Sequence, residues 1–126
     1  MQKSNAIKTK DFWQKLEHLL VTSNIILDRP KGSKHPHFPE VVYPLDYGYL
    51  ENTSAADGGG IDIWRGSLPE SVLDAIICTV DVRKRDTEIK LLLGCTDAEK
   101  ELALKFHNNP FMAGMLISRA VAKEVT

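Results

Sequence analysis

Two pairs of aspartates, Asp57 with Asp62 and Asp81 with Asp86, are each spaced five residues apart in this 126-residue chain. Gly58, Gly59, Gly60 and Ile61 separate the first pair; the basic turn Val82-Arg83-Lys84-Arg85 separates the second. Glycine permits positive φ and close backbone approach, so the first run can bring two carboxylates toward one point. Four carboxylates gathered without a counter-ion repel one another, and their pKa values rise. A hard divalent cation resolves that conflict, because magnesium takes oxygen ligands octahedrally and keeps positions for water and phosphate. The bland reading is that glycine turns between strands are common and that acids at strand ends are solvated. Spacing alone leaves both readings open.

The elements that must position these acids can be read from hydrophobic period and turn residues. Residues 1–10 form a polar tail, and residues 11–126 a single domain. Asp11 is an N-cap for a short amphipathic helix carrying Phe12, Leu16, Leu19 and Leu20. NIILDR is a strand, and the loop from Pro30 to Pro44 holds four prolines, too many for a helix or central strand. Residues 43–50 are extended and broken at Gly48, residues 52–60 form a turn-rich loop, and IDIW is a strand. VLDAIICTVDV and EIKLLLGC are two longer strands joined by RKRDT. Thr96 and Glu99 make a capping box for a helix bearing Leu102, Leu104 and Phe106, which Asn108-Asn109 ends. Pro110 then opens a last helix, FMAGMLISRAVAKE. The fold class is mostly β with helices (α+β). Strands outnumber crossover helices, which favours a small β-barrel with an N-terminal helix and C-terminal helices.

Composition narrows the partners. With 43% hydrophobic and 26% charged residues and a net charge of −1, the chain gives no global reason to bind nucleic acid or an anionic membrane. A single-strand-binding groove needs basic charge interleaved with stacked aromatics, and aromatics are only 7%. MQKSNAIKTK lacks the apolar core of a signal peptide, and no run approaches the roughly 18 apolar residues of a membrane span. A cytoplasmic location is expected. Cys78 and Cys95 lie in apolar runs and read as buried free thiols. Trp64, Phe12, Trp13 and Phe106 read as core or subunit-interface packing, and Met112 and Met115 as core filler.

Taken together, Tyr43-Pro44, Asp46-Tyr47-Gly48, Asn52-Thr53, the Asp57/Asp62 pair and the later Asp81/Asp86 pair resemble the magnesium-dependent family I inorganic pyrophosphatases. The run Pro30-Lys31-Gly32-Ser33 also resembles the family, with Asp28 where a glutamate usually stands. The resemblance implies a five-stranded OB-type barrel with a cleft at its mouth, Mg2+ as cofactor and pyrophosphate as substrate. It implies that Asp57, Asp62 and Asp86 hold the main metal, that Asp81 helps with a further ion, and that Tyr47 bonds a phosphate, Asp62 and Tyr47 serving as catalytic residues. Homo-oligomers are frequent in the family.

The chain departs from that pattern in several places. The signature's middle aspartate, which acts as base in the family, is Gly59, and its proline is Gly60. A missing general base typically costs about 10²- to 10⁴-fold. The phosphate-binding hairpin is short, leaving Lys31, Lys34, His35 and His37 as candidates for phosphate contact, with a plain surface loop as the competing reading and zinc a poor third. The lysine expected two residues after the last aspartate is Glu88; Lys90, two further on, shares its strand face. The tyrosine-lysine pair of the late helix is absent, with His107 and Asn108 nearby. The expected activity is therefore Mg-dependent hydrolysis of pyrophosphate or a related phosphoanhydride. The alternative is a weakened module of the same fold that binds phosphate or a nucleotide.

Overall fold

The structure, a computed structural model, describes residues 2–120, with residues 2–8 as helix backbone only. Helix α1 (Gln2–Val21) is followed by strands β1 (Ile25–Arg29), β2 (Asp46–Leu50), β3 (Ile61–Arg65), β4 (Leu73–Asp81) and β5 (Asp86–Leu93), then helix α2 (Asp97–Phe106) and strand β6 (Met112–Ser118). The strands form one mixed sheet in the order β1-β2-β3-β5-β4-β6. All neighbours pair antiparallel except β3 with β5, which run parallel from Ile63/Leu91 to Arg65/Leu93. The sheet is open. A closed five-stranded barrel is not what these strands build; among the described residues the architecture is α+β, a six-stranded sheet with two helices.

Alternation along the strands divides the apolar residues between two faces. Trp13, Leu16 and Leu20 of α1 pack on Leu50, Ile63, Leu73, Ile76, Leu91 and Leu93. The opposite face gathers Tyr43, Leu45, Trp64, Ala75, Ile77 and Leu92 under Ala103, Leu104 and Phe106 of α2. Trp64 is wholly buried and Trp13 nearly so, as expected, whereas Phe12 and Met115 are exposed and fill no core. Cys95 is buried and Cys78 half-buried, both unpaired.

Local chemistry explains most elements. Thr96 accepts from Glu99 N at 3.2 Å while the Glu99 carboxylate accepts from Thr96 N at 2.9 Å, so both halves of the expected capping box are present. Asp81 and Asp86 face each other across the β4–β5 hairpin, as the five-residue spacing suggested. Gly48 lies within β2 instead of breaking it: a Cβ there would stand 1.8 Å from Ile26 O, so glycine lets β1 approach. The first helix begins at Gln2, ahead of the expected Asp11.

The expected final helix is not formed where the chain is described: residues 112–118 are strand β6, paired with β4 from Asp81/Met112 to Ala75/Ser118. Its Met112, Gly114 and Leu116 alternate with Ala113, Met115 and Ile117, so the run satisfies a period of two, and Gly114 disfavours helix. The rest of that proposed helix, from residue 121, lies outside the described residues. Among the described residues no helix is long and apolar enough to cross a membrane.

Candidate active site

Register places Asp81, Asp86, Glu88, Lys90, Thr79 and Ile77 on one face, because Asp81 opposes Asp86, Thr79 opposes Glu88 and Ile77 opposes Lys90. Asp62 and Lys90 immediately precede the first β3–β5 pair, at the point where the two parallel strands diverge. Side chains in that fork meet from both strands. Lys90 Nζ lies 2.6 Å from Asp62 Oδ2 and 2.6 Å from Glu88 Oε1, with only 6% of its side chain exposed. Burial works against the ammonium, but Asp62 and Glu88 outweigh it and hold the lysine pKa above its usual value.

Asp57 joins this group from the glycine loop. Its Oδ1 accepts from Gly59 N at 2.9 Å, and its carboxyl lies beside Glu88, within reach of the Lys90 charge. The Gly59 N–H lowers the Asp57 pKa, whereas burial raises that of Glu88 despite the neighbouring ammonium. Tyr47 completes the fork: burial, and the interaction of its hydroxyl with Asp62, push the phenol pKa up, so it remains a donor. Its ring stands edge-on to Trp64 at 4.5 Å.

The remaining aspartates are employed differently. Asp81 is buried, and its Oδ1 accepts from both Arg83 N and Lys84 N at 2.9 Å, which fixes the hairpin turn. Asp86 is half-buried beside that turn. Among the described residues no three His, Cys, Asp or Glu side chains are arranged as they stand to hold a metal ion. The cation shared by Asp62 and Glu88 is Lys90. The donor set nonetheless suits a hard cation in its chemistry. Two carboxylates, Asp62 and Glu88, hold one ammonium, with Asp57 beside Glu88, and Glu88 Oε2 is buried without a hydrogen-bond partner among the described residues.

Asp62, Asp81 and Lys90 line a cleft of about 850 Å³ whose other walls carry Arg29, His35, His37, Lys84 and His107. The wall facing the acids carries most of these bases, with the acids Asp28 and Glu40 set among them. Burial, then the charges of Arg29, His37 and Lys84, lower the His35 pKa. His35 stacks on Tyr43, whose hydroxyl accepts from Arg29 Nη1. Of the residues expected to touch phosphate, His35, His37, Tyr47 and Lys90 line the cleft; Lys31 and Lys34 do not. The Lys31 backbone N–H instead donates to Asp46 Oδ1 at 2.8 Å, and Lys34 bridges Val42 across the loop. Glu88 and Arg29 were not singled out as binding groups from sequence, whereas the basic turn that carries Lys84 reads either as solvated or as a phosphate contact. Alternation from Asp86 through Glu88 to Lys90 was a sufficient signal for the first; Arg29 needed the β1–β2 pairing to bring it to the cleft.

No family model matches the chain. It is similar to an inorganic pyrophosphatase of Methanosarcina acetivorans, 28% identical over 89 aligned residues that cover 52% of this chain and 53% of the relative. An inorganic pyrophosphatase of Corynebacterium glutamicum is 32% identical over 68 residues, covering 42% of each chain. The chain spans about half the length of the curated relatives it matches. These likenesses support a relationship to pyrophosphatases.

Proposed function

We propose that this chain hydrolyses inorganic pyrophosphate, or a related phosphoanhydride, to phosphate, with Mg2+ held at the fork by Asp57, Asp62 and Glu88. The observation that carries this reading is the charge imbalance there: Lys90 is shared by Asp62 and Glu88, Asp57 adds a third carboxylate beside Glu88, and Glu88 Oε2 is unpaired among the described residues. The names of the two relatives support the substrate. Membership of family I, a homo-oligomeric state and a cytoplasmic location belong to the same proposal.

Bound there, the cation supplies neutralisation of phosphate charge and a water acidic enough to ionise near neutral pH. The chain's own groups bind and orient. Lys90 gives the substrate a fixed positive charge, Tyr47 donates its hydroxyl to a phosphate oxygen, and Asp81 and Asp86 add negative charge on the same sheet face toward a further ion. Arg29, Lys84 and His37 hold the second phosphate from the basic wall, while Lys31 and Lys34 act only from the periphery. Positioning and electrostatics supply most of phosphoryl-transfer catalysis, so no covalent partner is needed. Gly59 supplies no base, and the rate is lower by about 10²- to 10⁴-fold than with a positioned carboxylate.

A second reading, binding without turnover, is favoured by one observation: Lys90 already engages the carboxylates that the cation would use. Phosphate release from pyrophosphate by the purified chain in Mg2+ separates the two. Release above background supports hydrolysis. Calorimetric binding without release establishes the module, and neither binding nor release removes both readings.

A further inference from the structure

His107 follows the last residue of α2 and caps it, its backbone N–H donating to Leu104 O at 3.1 Å, while Ala103, Leu104 and Phe106 pack that end of the helix against the sheet. Its side chain lines the cleft together with Tyr47, Asp62 and Lys90, yet the residue is only 3% exposed. Trp64 Nε1 lies 3.0 Å from His107 Nε2. An indole nitrogen can only donate, so Nε2 must accept and carries no proton. Burial, and then the charge of Lys90, lower the imidazole pKa to about 3, so the ring is neutral. A neutral ring that accepts at Nε2 must bear its proton on Nδ1. Nδ1 is buried and has no hydrogen-bond partner among the described residues. An unpaired buried donor is unfavourable by about 1–3 kcal/mol, so this N–H calls for an acceptor. The cleft it borders is the place where the proposed function puts an acceptor-only ligand.

We propose that His107 is a substrate-binding residue: its Nδ1–H, set in that tautomer by Trp64, donates to a phosphate oxygen of the bound pyrophosphate. This rests on the cleft being the phosphoanhydride site. A neutral donor complements the cations already there. It bonds an oxygen without adding to the positive charge of Lys90, which would repel an imidazolium. Trp64 acts through His107 and is a positioning residue.

The test uses the full chain labelled with ¹⁵N and the non-hydrolysable analogue imidodiphosphate with Mg2+. Without ligand, His107 should show a protonated Nδ1 and a lone pair on Nε2. As calorimetry reports saturation, the Nδ1 proton should move downfield and become protected from exchange. His107→Phe should weaken binding about 10-fold, the equivalent of one lost hydrogen bond. Trp64→Phe should give a mixture of tautomers and a smaller loss. An Nε2-protonated ring in the free chain overturns the inference. Saturable binding that leaves the Nδ1 signal in place also overturns it, while leaving the cleft's assignment intact. Failure of imidodiphosphate to bind at all overturns both.

Discussion

Lys90 Nζ and Asp62 Oδ2 meet at 2.6 Å in the fork between β3 and β5, although 28 residues separate them in the chain. The contact neutralises a carboxylate at the cleft, and Glu88 holds the same ammonium from the other side. Lys90→Met should therefore leave two half-buried carboxylates without compensation. Removing one partner of a buried pair is costly because a bare charge remains. Urea denaturation without metal should show a loss of about 3 kcal/mol, and millimolar Mg2+ should restore more stability to the variant than it adds to the wild type.

On the proposed function Gly59 stands where a general base would be, and it is not at positive φ. A Cβ there would meet only Asp57 Oδ1, at 3.3 Å, and a flexible exposed carboxylate can give way. Gly59→Asp should fold, and phosphate release in Mg2+ should rise about 10²-fold, within the range of a restored general base. An unchanged rate would show that residue 59 does not approach the attacking water.

His107 also predicts a pH dependence of stability. Its folded pKa of about 3 lies below the ordinary 6.5. Unfolded chains take up a proton as pH falls through the ordinary value, and folded chains do not until far lower. Stability linked to His107 is thus complete above about pH 6.5 and declines steadily below it, by about 2 kcal/mol at pH 5. His107→Phe should be less stable at pH 8, where Trp64 loses its acceptor, but should lose about 2 kcal/mol less than wild type between pH 8 and pH 5.

Gly48 tests the close pairing of β1 with β2. A methyl group there would overlap Ile26 O at 1.8 Å, and the obstacle is backbone, which cannot rotate away. Gly48→Ala should destabilise the chain by about 3 kcal/mol in thermal or urea unfolding, the upper range for forced overpacking. A neutral substitution would mean that β1 is free to move outward.

What could be read in advance was local. The capping box of Thr96 and Glu99, the hairpin that opposes Asp81 to Asp86, and the strand at residues 61–65 each follow from neighbours in sequence. Strand β6 was illegible because Met-Ala-Gly-Met-Leu-Ile fits either a helical or a strand period, and only pairing with β4 decides. The open sheet depends on the parallel pairing of β3 with β5, which no local signal encodes. The acids were recognisable by spacing, but their counter-ion was not: Lys90 reaches Asp62 only through that same pairing. Arg29 reaches the cleft through the β1–β2 pairing, a long-range contact, whereas Lys31 and Lys34 stay off it.

On the proposed function, Asp62 sits where a divalent cation and a phosphoanhydride meet. Phosphate release from pyrophosphate, compared between wild type and Asp62→Asn in Mg2+ and in EDTA, tests it most directly. The wild type should release phosphate in Mg2+ alone, and the variant should lose at least about 10²-fold, the scale of removing one electrostatic contact to the transition state. Equal release by both proteins, or release undiminished in EDTA, would contradict it.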